Sequence, residues 1–147
     1  DNKCFLCVNT PNDEQALVVG RNTTAFIIMN RFPYTNGHVM VVPVRHVGSF
    51  NDLTDEETLD MMRLVKIMVA VLKKEFNVDG LNVGMNIGRA AGAGIDDHLH
   101  FHVVPRWGGD TNFASVIGEV RVIPEDVLKT ARELRPFFTK IQREVCG

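Results

Sequence analysis

A chain of 147 residues, 45% apolar and 23% charged, has the composition of an ordinary globular protein with room for one hydrophobic core. A net charge of −2 without any basic run argues against general nucleic-acid binding, and no apolar stretch reaches the roughly 18 residues that a membrane span needs. The first residues lack the basic-then-apolar order of a signal peptide, and 3 cysteines do not make a disulfide scaffold, so one domain over 1–147 in a reducing, cytoplasmic setting is expected.

In chain order, Ala16–Val19 and Ala25–Met29 are β-rich runs separated by polar residues and predict a hairpin. Arg31–His38 is punctuated by Pro33, Asn36 and Gly37 and predicts a loop. His38–Val44 predicts a strand, with Pro43 marking its end or a sheet edge.

The period then changes. Thr54 and Glu57 have the spacing of a capping box, and Asp55 and Glu56 suit a positive helix N-terminus. Leu59, Met62, Val65, Val69, Leu72 and Phe76 recur at helical spacing. Met61, Leu64, Met68 and Val71 make a second apolar stripe. A helix apolar on two faces needs two covers; we expect the sheet on the first stripe and a second copy of the chain, in a homodimer, on the second, where Met61, Leu64 and Met68 would otherwise stand exposed.

Gly80–Gly88 predicts a strand of small residues, and the glycine-rich stretch up to Asp97 a loop. Another strand begins at His98. Pro124 suits the first turn of a C-terminal helix with Val127, Leu128, Ala131 and Leu134 as its apolar face, which Pro136 should break or kink. Strands joined by short turns, with two helices, predict an α+β domain with an antiparallel sheet.

Three of the five histidines stand at alternate positions of one run, His98, His100 and His102. On a strand they project to one face, their Cα atoms about 6.6 Å apart, while Leu99, Phe101 and Val103 turn to a core. A neutral imidazole is a good nucleophile near neutral pH, and neighbouring imidazoles disfavour one another's protonation. One can attack while another donates hydrogen bonds to a charged oxygen. His100, flanked on both sides, is the natural attacker. A three-histidine metal site is the competing reading, but it lacks a fourth ligand from the same strand.

The run His98–Val104 resembles the H-φ-H-φ-H-φ-φ signature (φ apolar) of the histidine-triad, or HIT, family of nucleotide hydrolases and transferases. Asn30, Gly37–Pro43, Arg45–Val47, Asn86, the glycine-rich loop and Pro105–Arg106 match in order, over nearly the whole chain. The stretches Pro33–His38, Pro105–Asp110 and Thr111–Phe113 are most similar to the bacterial branch that includes diadenosine tetraphosphate phosphorylases.

The resemblance implies a HIT-like sheet of about five strands with one long helix and a C-terminal helix. It implies a small-molecule nucleotide substrate and attack by His100 on its α-phosphorus, giving a nucleotidyl-histidine that water or phosphate releases. His98, His102 and His38 complete the catalytic set. Asn30 is expected to hold the ribose and Asn86 the nucleotide, with backbone N–H groups of Gly92, Ala93 and Gly94 approaching phosphate. Trp107 is a candidate to stack on a base or pack in an interface. One departure stands out. Many members carry Gln four residues before the first histidine, where this chain has Gly94.

Cys4 and Cys7 form a C-x-x-C followed by the turn-like Asn9–Asn12, which does not suit a redox pair opening a helix. Zinc needs two further ligands. The resemblance to zinc-bearing HIT proteins and galactose-phosphate uridylyltransferases supplies them as His46 and His98, in a closed structural site.

Overall fold

The computed structural model describes residues 4–7, 15–95, 97–111 and 126–146. Strands β1 (Val18–Arg21), β2 (Ala25–Met29) and β3 (Val39–Pro43) lead to helix α1 (Asp55–Glu75), then β4 (Gly80–Gly84), β5 (Phe101–Arg106) and a C-terminal helix α2 (Val127–Cys146). The five strands form one antiparallel sheet in the order β1-β2-β3-β5-β4. The α+β architecture follows the sequence expectation. The turn expected at Asn9–Asn12, Pro124, and the Asn112–Phe113 part of the matched motif lie outside the described residues.

Strand alternation divides the apolar residues between two layers. Ala25, Ile27, Met29, Val39, Val41 and Val103 pack with α1 and α2, while Val18, Phe26, Ile28, Met40 and Val42 pack with Leu6 on the opposite face. β2 and β3 are buried along their whole length, which explains their unbroken apolar runs. Gly20 in β1 is required by α2: a Cβ there would collide with the ring of Phe138.

The capping box at α1 is present. Thr54 Oγ1 accepts from the Glu57 N–H at 3.1 Å, and Glu57 Oε2 accepts from the Thr54 N–H at 2.9 Å. Arg45 donates to both oxygens of Glu57, from Nε at 2.8 Å and Nη2 at 2.7 Å. Arg45 thereby holds the buried Glu57 carboxyl at about 2, so it stays ionised and ties the end of β3 to the start of α1.

Two expectations need correction. Met61, Leu64, Met68 and Val71 are fully buried within the chain, between the sheet and α2, so this stripe is not the surface left for a partner. The stripe assigned to the sheet carries the exposed residues instead: Leu59 and Met62 are 53% and 39% exposed. The two stripes overlap in angle, so period alone did not say which faced the sheet. Pro136 does not end α2, which continues to Cys146. Pro136 is on the exposed side, where a missing backbone bond faces solvent and not the core, while Ala131, Leu134, Phe138 and Ile141 stay buried.

β4 and β5 are also shorter than expected. β4 stops at Gly84, and the chain then passes through a 3₁₀ turn at Arg89–Ala91 flanked by Gly88 and Gly92 at φ +81° and +86°. β5 begins only at Phe101, so His98 and His100 lie on the extended segment leading into it.

Candidate active site

β5 places His102, Val104 and Arg106 on the sheet face opposite the helices, with Met40 and Gly84 directly across from His102 on β3 and β4. His100 precedes them, its ring edge-on to His102 with centroids 4.9 Å apart. His100, His98 and His38 are buried, and His102 is partly exposed.

The hydrogen bonds fix the ring nitrogens. His100 Nδ1 lies 2.9 Å from the His98 carbonyl, which can only accept, so Nδ1 carries the hydrogen and Nε2 of the neutral ring keeps its lone pair. The Tyr34 N–H donates to His38 Nδ1 at 3.1 Å, which leaves the hydrogen of neutral His38 on Nε2. His38 Nε2 lies 2.8 Å from His102 Nδ1 and donates to it. His102 therefore presents Nε2–H outward. Burial, reinforced by His100, pushes His102 down to about 4, so it is neutral at pH 7. The arrangement offers a lone pair at His100 and a fixed donor at His102 (a nucleophile and an oxyanion partner side by side).

The third histidine of the row does a different job. His98 Nε2 donates to the Pro43 carbonyl at 3.0 Å, which turns Nδ1 toward the thiols of Cys4 and Cys7 at 3.4 and 3.6 Å. His46 Nδ1 is 3.2 Å from Cys7 Sγ, and its Nε2 faces Asp97 at 3.7 Å. The four ligand atoms of Cys4, Cys7, His46 and His98 lie within 4.8 Å of one another. A tetrahedral zinc with ordinary bond lengths sets sulfur and nitrogen about 3.6 Å apart, so the donor set and its spacing fit that ion. The Pro43 carbonyl and Asp97 are the outer partners that zinc-bound histidines ordinarily have. His98 joins the two groups: its ring belongs to the cysteine cluster and its carbonyl orients His100.

Asn30 Oδ1 accepts from the Phe32 N–H at 2.9 Å, as in a turn, while its amide nitrogen sits 3.4 Å from the His38 ring. Asn86 Nδ2 donates to the Gly92 carbonyl at 3.3 Å and shapes the glycine-rich loop. Gly94 has open space where a side chain would stand, and Ala93 is partly buried beside it. Trp107 directly follows β5; its backbone N–H donates to Asp110, and its side chain does not line the cavity beside His102.

That cavity, of about 460 Å³, is bordered by His102, Tyr34, Asn86, Gly84, Val104 and Arg106, among others. Tyr34 was not anticipated. Its ring stacks on His102 at 5.8 Å and tilts against His38 at 4.6 Å. Its place in a Pro-Tyr-Thr-Asn-Gly turn gave no periodic signal. The Arg106–Asp110 pair was missed as well, although an i,i+4 opposite charge just after a strand was visible.

The chain is similar to several known proteins. The chain is 45% identical over 123 residues to AP-4-A phosphorylase of Mycobacterium tuberculosis, covering 84% of this chain and 63% of that protein. It therefore spans less than two thirds of that relative's length. It is 32% identical over 120 residues to bis(5'-adenosyl)-triphosphatase of Dictyostelium discoideum, covering 78% of this chain and 80% of that one. A zinc-bound histidine triad family protein from Mycobacterium smegmatis superposes with a TM-score of 0.71 at 26% identity, covering 87% of each chain. The model of the HIT domain matches residues 12–109, and the chain belongs to the HIT family.

Proposed function

We propose that the chain is a nucleotide hydrolase or phosphorylase acting at the α-phosphate of adenine dinucleoside polyphosphates through a nucleotidyl-histidine on His100. The observation that carries this reading is the bond from His100 Nδ1 to the His98 carbonyl, which leaves Nε2 free to attack beside the outward N–H of His102. The names of the Mycobacterium tuberculosis and Dictyostelium relatives support the substrate class.

In the first step the His100 Nε2 lone pair forms a bond to the α-phosphorus. The bond from that phosphorus to the bridging oxygen breaks, and the leaving polyphosphate keeps the electron pair. His102 donates to a non-bridging oxygen, which gathers charge in the transition state. Water or inorganic phosphate then attacks the same phosphorus. The P–N bond breaks, its electron pair returns to Nε2, and the proton of an attacking water passes to solvent. Asn30 is assigned to the ribose and Asn86 to the nucleotide, with Gly92, Ala93 and Gly94 presenting backbone to the phosphate.

Cys4, Cys7, His46 and His98 are assigned to one structural zinc. Bound there, it supplies no open coordination position and serves to fix the N-terminal segment and His98. The chain is further proposed to act as a homodimer in the cytoplasm, with Leu59 and Met62 of α1, Val83 of the edge strand β4 and Ile87 after it, all exposed here, as the apolar surface to be covered. Sedimentation should give twice the 16.4 kDa chain mass, and Leu59→Glu with Met62→Glu should give the single chain.

Turnover of diadenosine tetraphosphate with and without inorganic phosphate tests the activity. ADP released only with phosphate identifies a phosphorylase. AMP released regardless identifies a hydrolase. No turnover of it, with hydrolysis of an AMP phosphoramidate, shifts the reading to a phosphoramidase; no turnover of either leaves a nucleotide-binding protein.

A further inference from the structure

We infer that the cavity beyond His102 seats the leaving group's nucleoside, with the guanidinium plane of Arg106 as the platform for its base. The inference rests on the proposed function and adds the second half of the substrate to it.

Displacement at phosphorus proceeds in line, so the leaving oxygen departs from the side opposite the attacking nitrogen. Along the chain from His100, the open face continues through His102 and Val104 to Arg106, about 13 Å from His102 at the rise of a strand. The leaving polyphosphate is thus aimed along β5 into the cavity of about 460 Å³. That volume is in the range of small-ligand sites.

The far end is built for a flat neutral group and not for a phosphate. Arg106 donates through Nε and Nη2 to the two Asp110 oxygens, through Nη2 to Thr111 Oγ1 at 3.0 Å and through Nη1 to Asn82 Oδ1 at 2.8 Å. Nearly all of its donor edge is used, and the Asp110 carboxylate beside it opposes an anion. A side chain held flat in this way still offers its face, and guanidinium faces stack on aromatic bases. Val104 and Gly84 add apolar wall between Arg106 and His102, and a Cβ built on Gly84 meets nothing within 4 Å. Space for a ring is therefore open above β4.

The test compares kcat/KM for diadenosine tetraphosphate with that for its analogue of equal charge whose second ribose carries no base. The wild-type protein should prefer the intact substrate by about tenfold beyond the statistical doubling of a symmetric molecule, the usual effect of stacking one base. Arg106→Lys keeps the charge and loses the plane, and the preference should collapse toward the statistical value. Gly84→Val fills the open space without disturbing the arginine network and should remove the preference too, so the inference stays testable if Arg106→Lys does not fold. A wild-type preference no larger than the statistical doubling, or a preference untouched in both variants, overturns the subsite while the proposed activity stands. No turnover of either compound overturns both.

Discussion

Replacing His38 by Ala probes how the donor on His102 is set. His38 is fully buried, accepts from the Tyr34 N–H at 3.1 Å and donates to His102 Nδ1 at 2.8 Å. Without it the two neutral tautomers of His102 differ little in energy, so about half the molecules would turn an acceptor toward the phosphoryl oxygen. The ring also loses the contact that holds its angle. Removing an orienting partner of this kind costs about 10–100-fold, as at metal-bound histidines. The loss should fall on kcat with KM nearly unchanged, because the donor matters most where charge develops. Losing the bond from the Tyr34 N–H together with a fully buried ring should also cost about 1–3 kcal/mol of stability. Steady-state kinetics with diadenosine tetraphosphate, on protein shown by its melting curve to be folded, checks the estimate. A folded His38→Ala protein with kcat within about threefold of wild type would refute the relay.

Chelation should lower melting temperature and activity together, although the metal would not touch the phosphate, because His98 belongs to the cysteine cluster and its carbonyl holds His100. Metal analysis near zero on fully active protein would show Cys4 and Cys7 to be plain thiols. Glu57→Ala removes two bonds from a half-exposed Arg45 and one capping bond, a loss of about 2 kcal/mol that lowers Tm by about 4–8 °C. Turnover below the melting range should be unaffected. His102 binds its proton near pH 4 when folded and near 6.5 when unfolded, so the unfolded state holds more protons between these values. Its contribution to stability is complete above pH 6.5 and is lost as pH falls toward 4. Melting curves of wild type and His102→Gln should converge on acidification, and parallel curves would contradict this.

The parts of the fold that follow from strong local periods were legible. The β2 and β3 runs, the capping box at Thr54 and the long α1 are each determined by neighbours in sequence. What faces what was not. Met61 and Met62 are adjacent in α1, yet one is fully buried and the other exposed, a choice made by α2 and the sheet. Pro136 does not break α2, because burial of one helix face outweighs a single missing bond on the other. In the site, alternation correctly grouped His100 with His102. It could not show that His98 turns its ring to Cys4 and Cys7, since that depends on the Pro43 carbonyl 55 residues away. Tyr34 and the Asn82–Arg106 bond stayed hidden for the same reason: their partners are distant in sequence or lie in loops without period.

A single-turnover reaction with excess protein and diadenosine tetraphosphate, quenched in alkali and mapped by peptide mass, tests the nucleotidyl-histidine most directly. The account predicts an adenylyl group on His100 that rises before product and decays with it. Complete product formation with no protein-bound nucleotide at any time, or an adduct on His98 or His102 instead, would contradict it.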